Sequence, residues 1–156
     1  MTTTPVAVDS IPVQKGQTIY PSPFNAAVAG RSKRKLGELF GLSNFGVNYT
    51  QLDPGSASAL MHFHSRQDEF IYVLEGNPTV KIGNEEYLMQ PGECIGFKAN
   101  TSEAHQLINH SDSSVAYLEI GDRSAGDNVE YPDDDLKASL SENGAWLLTH
   151  KDGRQY

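Results

Sequence analysis

Cysteine is almost missing from this chain of 156 residues: Cys94 stands alone, so no intrachain disulfide can form and a disulfide scaffold is excluded. A reducing, cytoplasmic location suits such a composition. Basic residues are also short, 12 Lys and Arg against 20 Asp and Glu, for a formal net charge of -8. An acidic surface repels phosphate backbones, which argues against nucleic acid as a partner. No apolar stretch approaches the roughly 20 residues needed to span a bilayer. Met1-Thr2-Thr3-Thr4-Pro5 lacks the basic start of a secretory signal, so no membrane partner is expected. There is no internal repeat, no Gly-rich phosphate loop and no Ser–His–Asp arrangement. The one basic run, Arg31-Ser32-Lys33-Arg34-Lys35, reads as a solvated loop.

What is present is β-favouring sequence cut by turns. The length fits one domain with a core of its own. Residues 1–35, rich in Pro, Thr, Ser and Gly at their start, read as an N-terminal arm. Residues 36–122 read as the folded core, and 123–156 as a C-terminal extension packing on it. Within the core, short runs alternate with turn chemistry every eight to twelve residues, the pattern of an all-β sandwich or barrel. The expected strands are Phe45 to Leu52, Leu60 to His64, Glu69 to Leu74, Thr79 to Ile82, Glu85 to Met89, Cys94 to Phe97, His105 to Asn109 and Val115 to Ile120. Asp53-Pro54-Gly55, Gly76-Asn77-Pro78, Pro91-Gly92 and Ser111-Asp112-Ser113 supply the turns, and Gly83-Asn84 suits a two-residue hairpin. No sustained 3.6-residue apolar period predicts helices in this core. Beyond it, Tyr131 to Leu136 reads as entry to a turn or short helix running through Leu140, and Ala145 to His150 as a strand.

Histidine is scarce, at five residues, yet three of them fall into one pattern. His62 and His64 are two apart, so on a strand both imidazoles share a face. Glu69 follows across the short Ser65-Arg66-Gln67-Asp68 connection, and His105 opens a later strand. By composition alone, HxHxxxxE arises in roughly one chain in a hundred of this kind. Three nitrogens and one carboxylate oxygen suit one divalent transition metal, whether Mn, Fe, Ni, Zn or Cu, and imidazole selects weakly among them. The candidate ligands are therefore His62, His64, Glu69 and His105.

The stretch from Gly55 through His62, His64 and Glu69 to Gly76 resembles the first motif of the cupin superfamily. Gly83 through Pro91-Gly92-Glu93 to His105 and Asn109 resembles the second. The resemblance implies an all-β double-stranded β-helix, a jelly-roll barrel, in the manner of a small single-domain metal-binding cupin. It also implies a homodimer and the four metal ligands just named. Two departures stand out: one extra residue before His62, and Lys98 and Asn100 where the second motif normally carries Pro and Gly. Asn tolerates a left-handed backbone better than most residues, so it can replace Gly there.

Four protein ligands on a six-coordinate ion leave positions for a small-molecule ligand. The expected function is a metal-dependent cupin acting on a sugar, sugar phosphate, keto acid or similar molecule, by isomerase, decarboxylase, lyase or dioxygenase chemistry. The alternative is a metal-dependent binding or sensing module without turnover. Leu60, Ile71, Val73, Leu107 and Asn109 share faces with the ligands and are expected to wall the pocket. Asn48 and Thr50 lie on one face of their strand and Tyr49 and Gln51 on the other, with no sign of which is inward. Lys98 and Arg66 are the cations nearest the ligands in sequence and candidates for favouring an anionic substrate. Cys94 reads as a small buried residue, and Asp133-Asp134-Asp135 as a solvated acidic turn.

Overall fold

The computed structural model describes residues 4–156. The described residues are all-β, built of three antiparallel sheets. The strands are β1 (Gln14–Lys15), β2 (Arg31–Lys35), β3 (Phe45–Leu52), β4 (Phe63–His64), β5 (Glu69–Glu75), β6 (Thr79–Ile82), β7 (Glu85–Leu88), β8 (Cys94–Phe97), β9 (His105–Ile108), β10 (Val115–Asp122), β11 (Asn128–Tyr131), β12 (Leu136–Leu140) and β13 (Trp146–Thr149). One sheet has six strands in the order β1-β2-β3-β10-β5-β8, a second has four in the order β13-β12-β11-β4, and a third has three in the order β7-β6-β9. A single helical turn, α1 (Leu36–Leu39), and two 3-10 turns (Val8–Ser10 and Phe24–Val28) are the only helical elements among the described residues.

Alternation decides which face of the six-stranded sheet looks in. Ile71 and Val73 of β5 are buried, while Phe70 and Tyr72 between them are exposed. Leu52, Val115 and Tyr117 continue that inner face, and with Val80, Met89 and Leu107 they form one apolar cluster between the six- and three-stranded sheets. A second cluster, Leu60, Val129, Tyr131, Leu136 and Ala138, lies on the four-stranded sheet, with Tyr20 and Phe24 of the N-terminal segment packed against it. The turns follow their residue chemistry. Ile82 pairs with Glu85 around Gly83-Asn84, and Gly83 takes the positive φ of 55° that such a hairpin demands. Asn100 does replace glycine, with a φ of 62°.

Several expectations need correction. Arg31 to Lys35 is not a solvated loop: it is β2, paired with β3 along its whole length. Its five residues carry no apolar side chain, so hydropathy gave no hint of a strand, but a two-residue alternation of cations on a sheet face is compatible with one. Leu136 to Leu140 is a strand and not a helical turn, because Leu136 and Ala138 alternate into the second cluster. The strand through His62 is shorter than expected; β4 keeps only Phe63 and His64, and His62 instead bridges to His105. Cys94 is exposed, near the edge of the six-stranded sheet, rather than buried. Asn109 is fully buried but braces a turn, its amide donating to the carbonyls of Leu52 (2.9 Å) and Ser113 (2.8 Å).

Leu52 is fully buried at the centre of the first cluster. Leu52→Ala is expected to cost about 2–5 kcal/mol of stability, from lost burial plus the cavity left behind. Urea unfolding monitored by the single Trp146 measures it, and a loss under about 1 kcal/mol would contradict this placement.

Candidate metal centre

Three separate chain segments deliver the four candidate ligands to one point. His62 and His105 exchange backbone hydrogen bonds in both directions, at 3.2 and 2.9 Å, which ties the approach to β4 directly to β9. Their rings lie 4.6 Å apart between centroids. His64 follows on β4, its ring 5.2 Å from that of His62. Glu69 opens β5 and reaches in from the six-stranded sheet. Its Oε2 lies 2.8 Å from Nε2 of His105, 3.3 Å from Nε2 of His62 and 3.4 Å from Nε2 of His64. One donor atom each from His62, Glu69 and His105 falls within 4.8 Å of the others, and His64 joins them through Glu69.

The tautomers make this convergence informative. Nδ1 of His62 meets the carbonyl oxygen of Leu60 at 2.8 Å, so it must carry the proton and donate. Nδ1 of His64 meets the Asp127 carboxylate at 2.5 Å and is likewise the protonated nitrogen. In neutral rings, both Nε2 atoms then present bare lone pairs to the carboxylate oxygen of Glu69. Two lone pairs facing an anion at 3.3 and 3.4 Å repel one another unless a cation lies among them. The donor set therefore fits a divalent metal. Ligands about 2.1 Å from one ion sit about 3 Å apart on neighbouring corners, close to the separations found.

The groups around these four residues fix their orientation. Asp127 is fully buried and also accepts hydrogen bonds from Ser65 Oγ (3.1 Å) and the Arg66 backbone N–H (2.8 Å). A carboxylate behind a ligating imidazole holds the ring and raises its basicity. Phe97 stacks flat on His105, with ring centroids 3.6 Å apart and planes within 2°. Burial pushes the carboxyl of Glu69 up, but where no ion stands among these groups, hydrogen bonds donated by the His105 and His62 rings outweigh it and hold the carboxyl well below the usual range. Asp127 is lowered in the same way: burial opposes, and the hydrogen bond with His64 prevails. His105 is lowered chiefly by burial. His64 is raised, because Asp127 and Glu69 together overcome its desolvation.

The four residues form part of the lining of a cavity of about 560 Å³, a size that suits a small organic ligand. Ile71 lines it as expected, but Leu60, Val73, Leu107 and Asn109 do not. The wall is more polar than the sequence suggested. Arg31, Lys33 and Lys35 of β2 all face it, as do Tyr20, Tyr131 and Glu119. Lys98 and Arg66 are not among the lining residues; the Arg66 guanidinium donates to the carbonyl of Ala125 instead. Asn48 and Thr50 prove to be the inward pair of β3, since both donate to the Glu119 carboxylate. Sequence reasoning missed Asp127, Phe97, Glu119 and the β2 cations. For the cations, the alternation of basic residues in β2 was the available signal; for Asp127, 63 residues from His64, there was none nearby.

The Cupin domain family matches residues 48–121. A cupin-superfamily sugar phosphate isomerase from Silicibacter pomeroyi is 37% identical over 98% of this chain and 96% of its own, with a TM-score of 0.91. A candidate sugar phosphate isomerase from Acidithiobacillus ferrooxidans is 31% identical over 85% of this chain and 82% of its own, with a TM-score of 0.74. A polyketide cyclase from Streptomyces resistomycificus shares the fold at 20% identity, covering 78% of this chain and 80% of its own, with a TM-score of 0.62. No functionally curated sequence matches. The chain belongs to the cupin superfamily. No helix among the described residues is long and apolar enough to cross a membrane.

Asp127→Asn is expected to weaken divalent metal affinity about 10–100-fold, the usual cost of losing the group behind a ligating histidine. Competition titration against a chromogenic chelator measures it. The folded-state pKa values of Glu69 and Asp127 lie below their unfolded values. The stability they contribute is thus complete above about pH 4 and is lost as pH falls through the lower folded values. Thermal midpoints of the metal-stripped chain should fall steeply below about pH 4, and less steeply in Asp127→Asn.

Proposed function

We propose that this protein is a metal-dependent cupin enzyme acting on a small polyhydroxy anion, and that aldose–ketose isomerisation of a sugar phosphate is the reaction its site supports best. One divalent ion is held by His62, His64, Glu69 and His105. The observation that carries the reading is the convergence of three imidazole nitrogens on a single Glu69 oxygen, on the wall of a cavity of about 560 Å³. When bound, such an ion polarises a carbonyl or hydroxyl oxygen of the ligand. The chain's own residues supply the rest. Arg31, Lys33 and Lys35 line the cavity against two carboxylates, Glu69 and Glu119, so positive charge prevails there in a protein that is acidic overall. That sign favours a phosphate or carboxylate on the ligand. Tyr20 and Tyr131, packed edge to face at 5.7 Å between centroids, line the same space and offer aromatic surface suited to the apolar faces of a sugar. Similarity over 98% of the chain to a sugar phosphate isomerase supports the isomerase choice over the other cupin chemistries. The same reading takes the sheets as parts of one double-stranded β-helix, the assembly as a homodimer and the location as cytoplasmic.

Elemental analysis of natively purified protein, beside His62→Ala/His105→Ala, tests the site. About one equivalent of Mn, Fe, Ni, Zn or Cu per chain, lost in the variant, is expected. The metal-loaded protein is then incubated with a panel of triose to hexose aldose and ketose phosphates, and interconversion is followed by NMR. A metal-loaded chain that binds members of the panel without converting any is a binding module instead. A chain that takes up no divalent ion would falsify the metal centre.

A further inference from the structure

The cavity holds a second charged cluster away from the four candidate ligands. Oε1 of Glu119 on β10 accepts hydrogen bonds from Lys33 Nζ (2.5 Å) and Asn48 Nδ2 (3.0 Å). Thr50 Oγ1 donates to its Oε2 at 3.3 Å. Glu119 and Lys33 both line the cavity. An ion pair drawn out of bulk water this far costs as much desolvation as it gains in attraction, so stability alone is a poor reason for it. A carboxylate offers about four acceptor positions. Two on Oε1 are filled, Thr50 takes one on Oε2 through a long bond, and one on Oε2 is free among the described residues.

Register places this carboxylate beside Glu69 of the metal centre. Glu69 pairs across the strands with Gly121, so Glu119 lies two residues along on the neighbouring strand and on the same inward face. Diagonal neighbours of this kind are about 7–8 Å apart at their Cα atoms, so the Glu119 and Glu69 side chains rise side by side from one face of the sheet. Gly121, between them on that face, puts no side chain in the way; a Cβ there would lie 3.8 Å from the Glu69 side chain.

We infer that Glu119 is a catalytic residue of this cavity, the group that carries a proton between the two carbons of an aldose–ketose pair whose oxygens face the metal centre. This rests on the isomerase reading above. Oε2 takes the proton from C2 of the aldose. The C2–H electron pair becomes the C1=C2 bond, and the C1 carbonyl pair moves onto O1. The hydroxyl proton passes from O2 to O1 through solvent water, the C2=O2 bond forms, and Glu119 returns its proton to C1. Substrate and product are isomers, the carboxylate is regenerated, and no oxidant or reductant enters. Lys33 is a positioning residue: its ammonium and the Asn48 amide keep Oε1 occupied, so that Oε2 is the oxygen offered to the ligand. Both also hold the group ionised and ready to accept, against the burial that opposes its charge.

The test uses the intact metal-loaded protein and the panel of sugar phosphates in D2O. Glu119→Gln should keep its metal equivalent and unfolding midpoint, hold KM within about threefold, and lose about 10²–10⁴-fold in kcat. Exchange of the C2 hydrogen with deuterium, read by NMR, should fall in step. If Glu119→Gln alone fails to fold with Lys33 unpaired, Lys33→Met/Glu119→Gln removes both charges and carries the same comparison. A metal-loaded variant with kcat within about fivefold of wild type overturns the role of Glu119 and leaves the isomerase reading standing. A metal-loaded wild type that converts no member of the panel overturns both.

Discussion

Three imidazole nitrogens turned toward one carboxylate oxygen create an electrostatic demand that the surrounding chain is arranged to sustain. The Nδ1 contacts of His62 and His64 with Leu60 and Asp127 leave their Nε2 lone pairs inward. The backbone exchange between His62 and His105 fixes two rings against each other, and Phe97 closes the flat side of His105. Each of these contacts comes from a different part of the chain. The site is therefore a junction: β4 belongs to the four-stranded sheet, Glu69 to the six-stranded sheet and His105 to the three-stranded sheet. Displacing any one sheet relative to the others spoils the convergence, which couples the integrity of the whole fold to a few ångströms of donor spacing.

The division of labour within the cavity follows from strand alternation. Along the row through Lys35, Asn48, Glu119 and Ile71, the polar residues come from β2, β3 and β10, and apolar ones begin at β5. The cavity thus carries the β2 cations and Glu119 on one side and the histidine–Glu69 cluster on the other, while Ile95 continues the row on β8 outside the cavity lining.

Much of this was legible in the sequence, and the rest was hidden for definite reasons. The bounds of β3, β6 and β8 follow directly from Pro, Gly and Asn punctuation, and the spacing of His62, His64, Glu69 and His105 singled out the four residues that converge. These are local signals: a turn residue announces its turn, and two histidines two apart share a strand face. β2 was concealed because its strand character comes from pairing with β3 and not from any apolar pattern of its own. Lys98 drew attention through proximity in sequence, whereas Lys33, remote in sequence, is the cation that the sheet places on the cavity wall. Asp127 and Glu119 are in the same position: their roles exist only once strands far apart in sequence lie side by side.

The contact between His64 and Asp127 also bears on the order of events during synthesis. The two residues are 63 positions apart, and the strand that follows Asp127 is the one that pairs β4 into its sheet. A nascent chain that has exposed all of His62, His64, Glu69 and His105 still lacks the carboxylate that orients one of those rings. Long-range pairings of this kind close late and slowly compared with local hairpins such as β6–β7. Full ordering of the four side chains therefore waits on Asp127 and β11, which follow His105 by more than 20 residues, and before they dock the His64 ring lacks the carboxylate that fixes it.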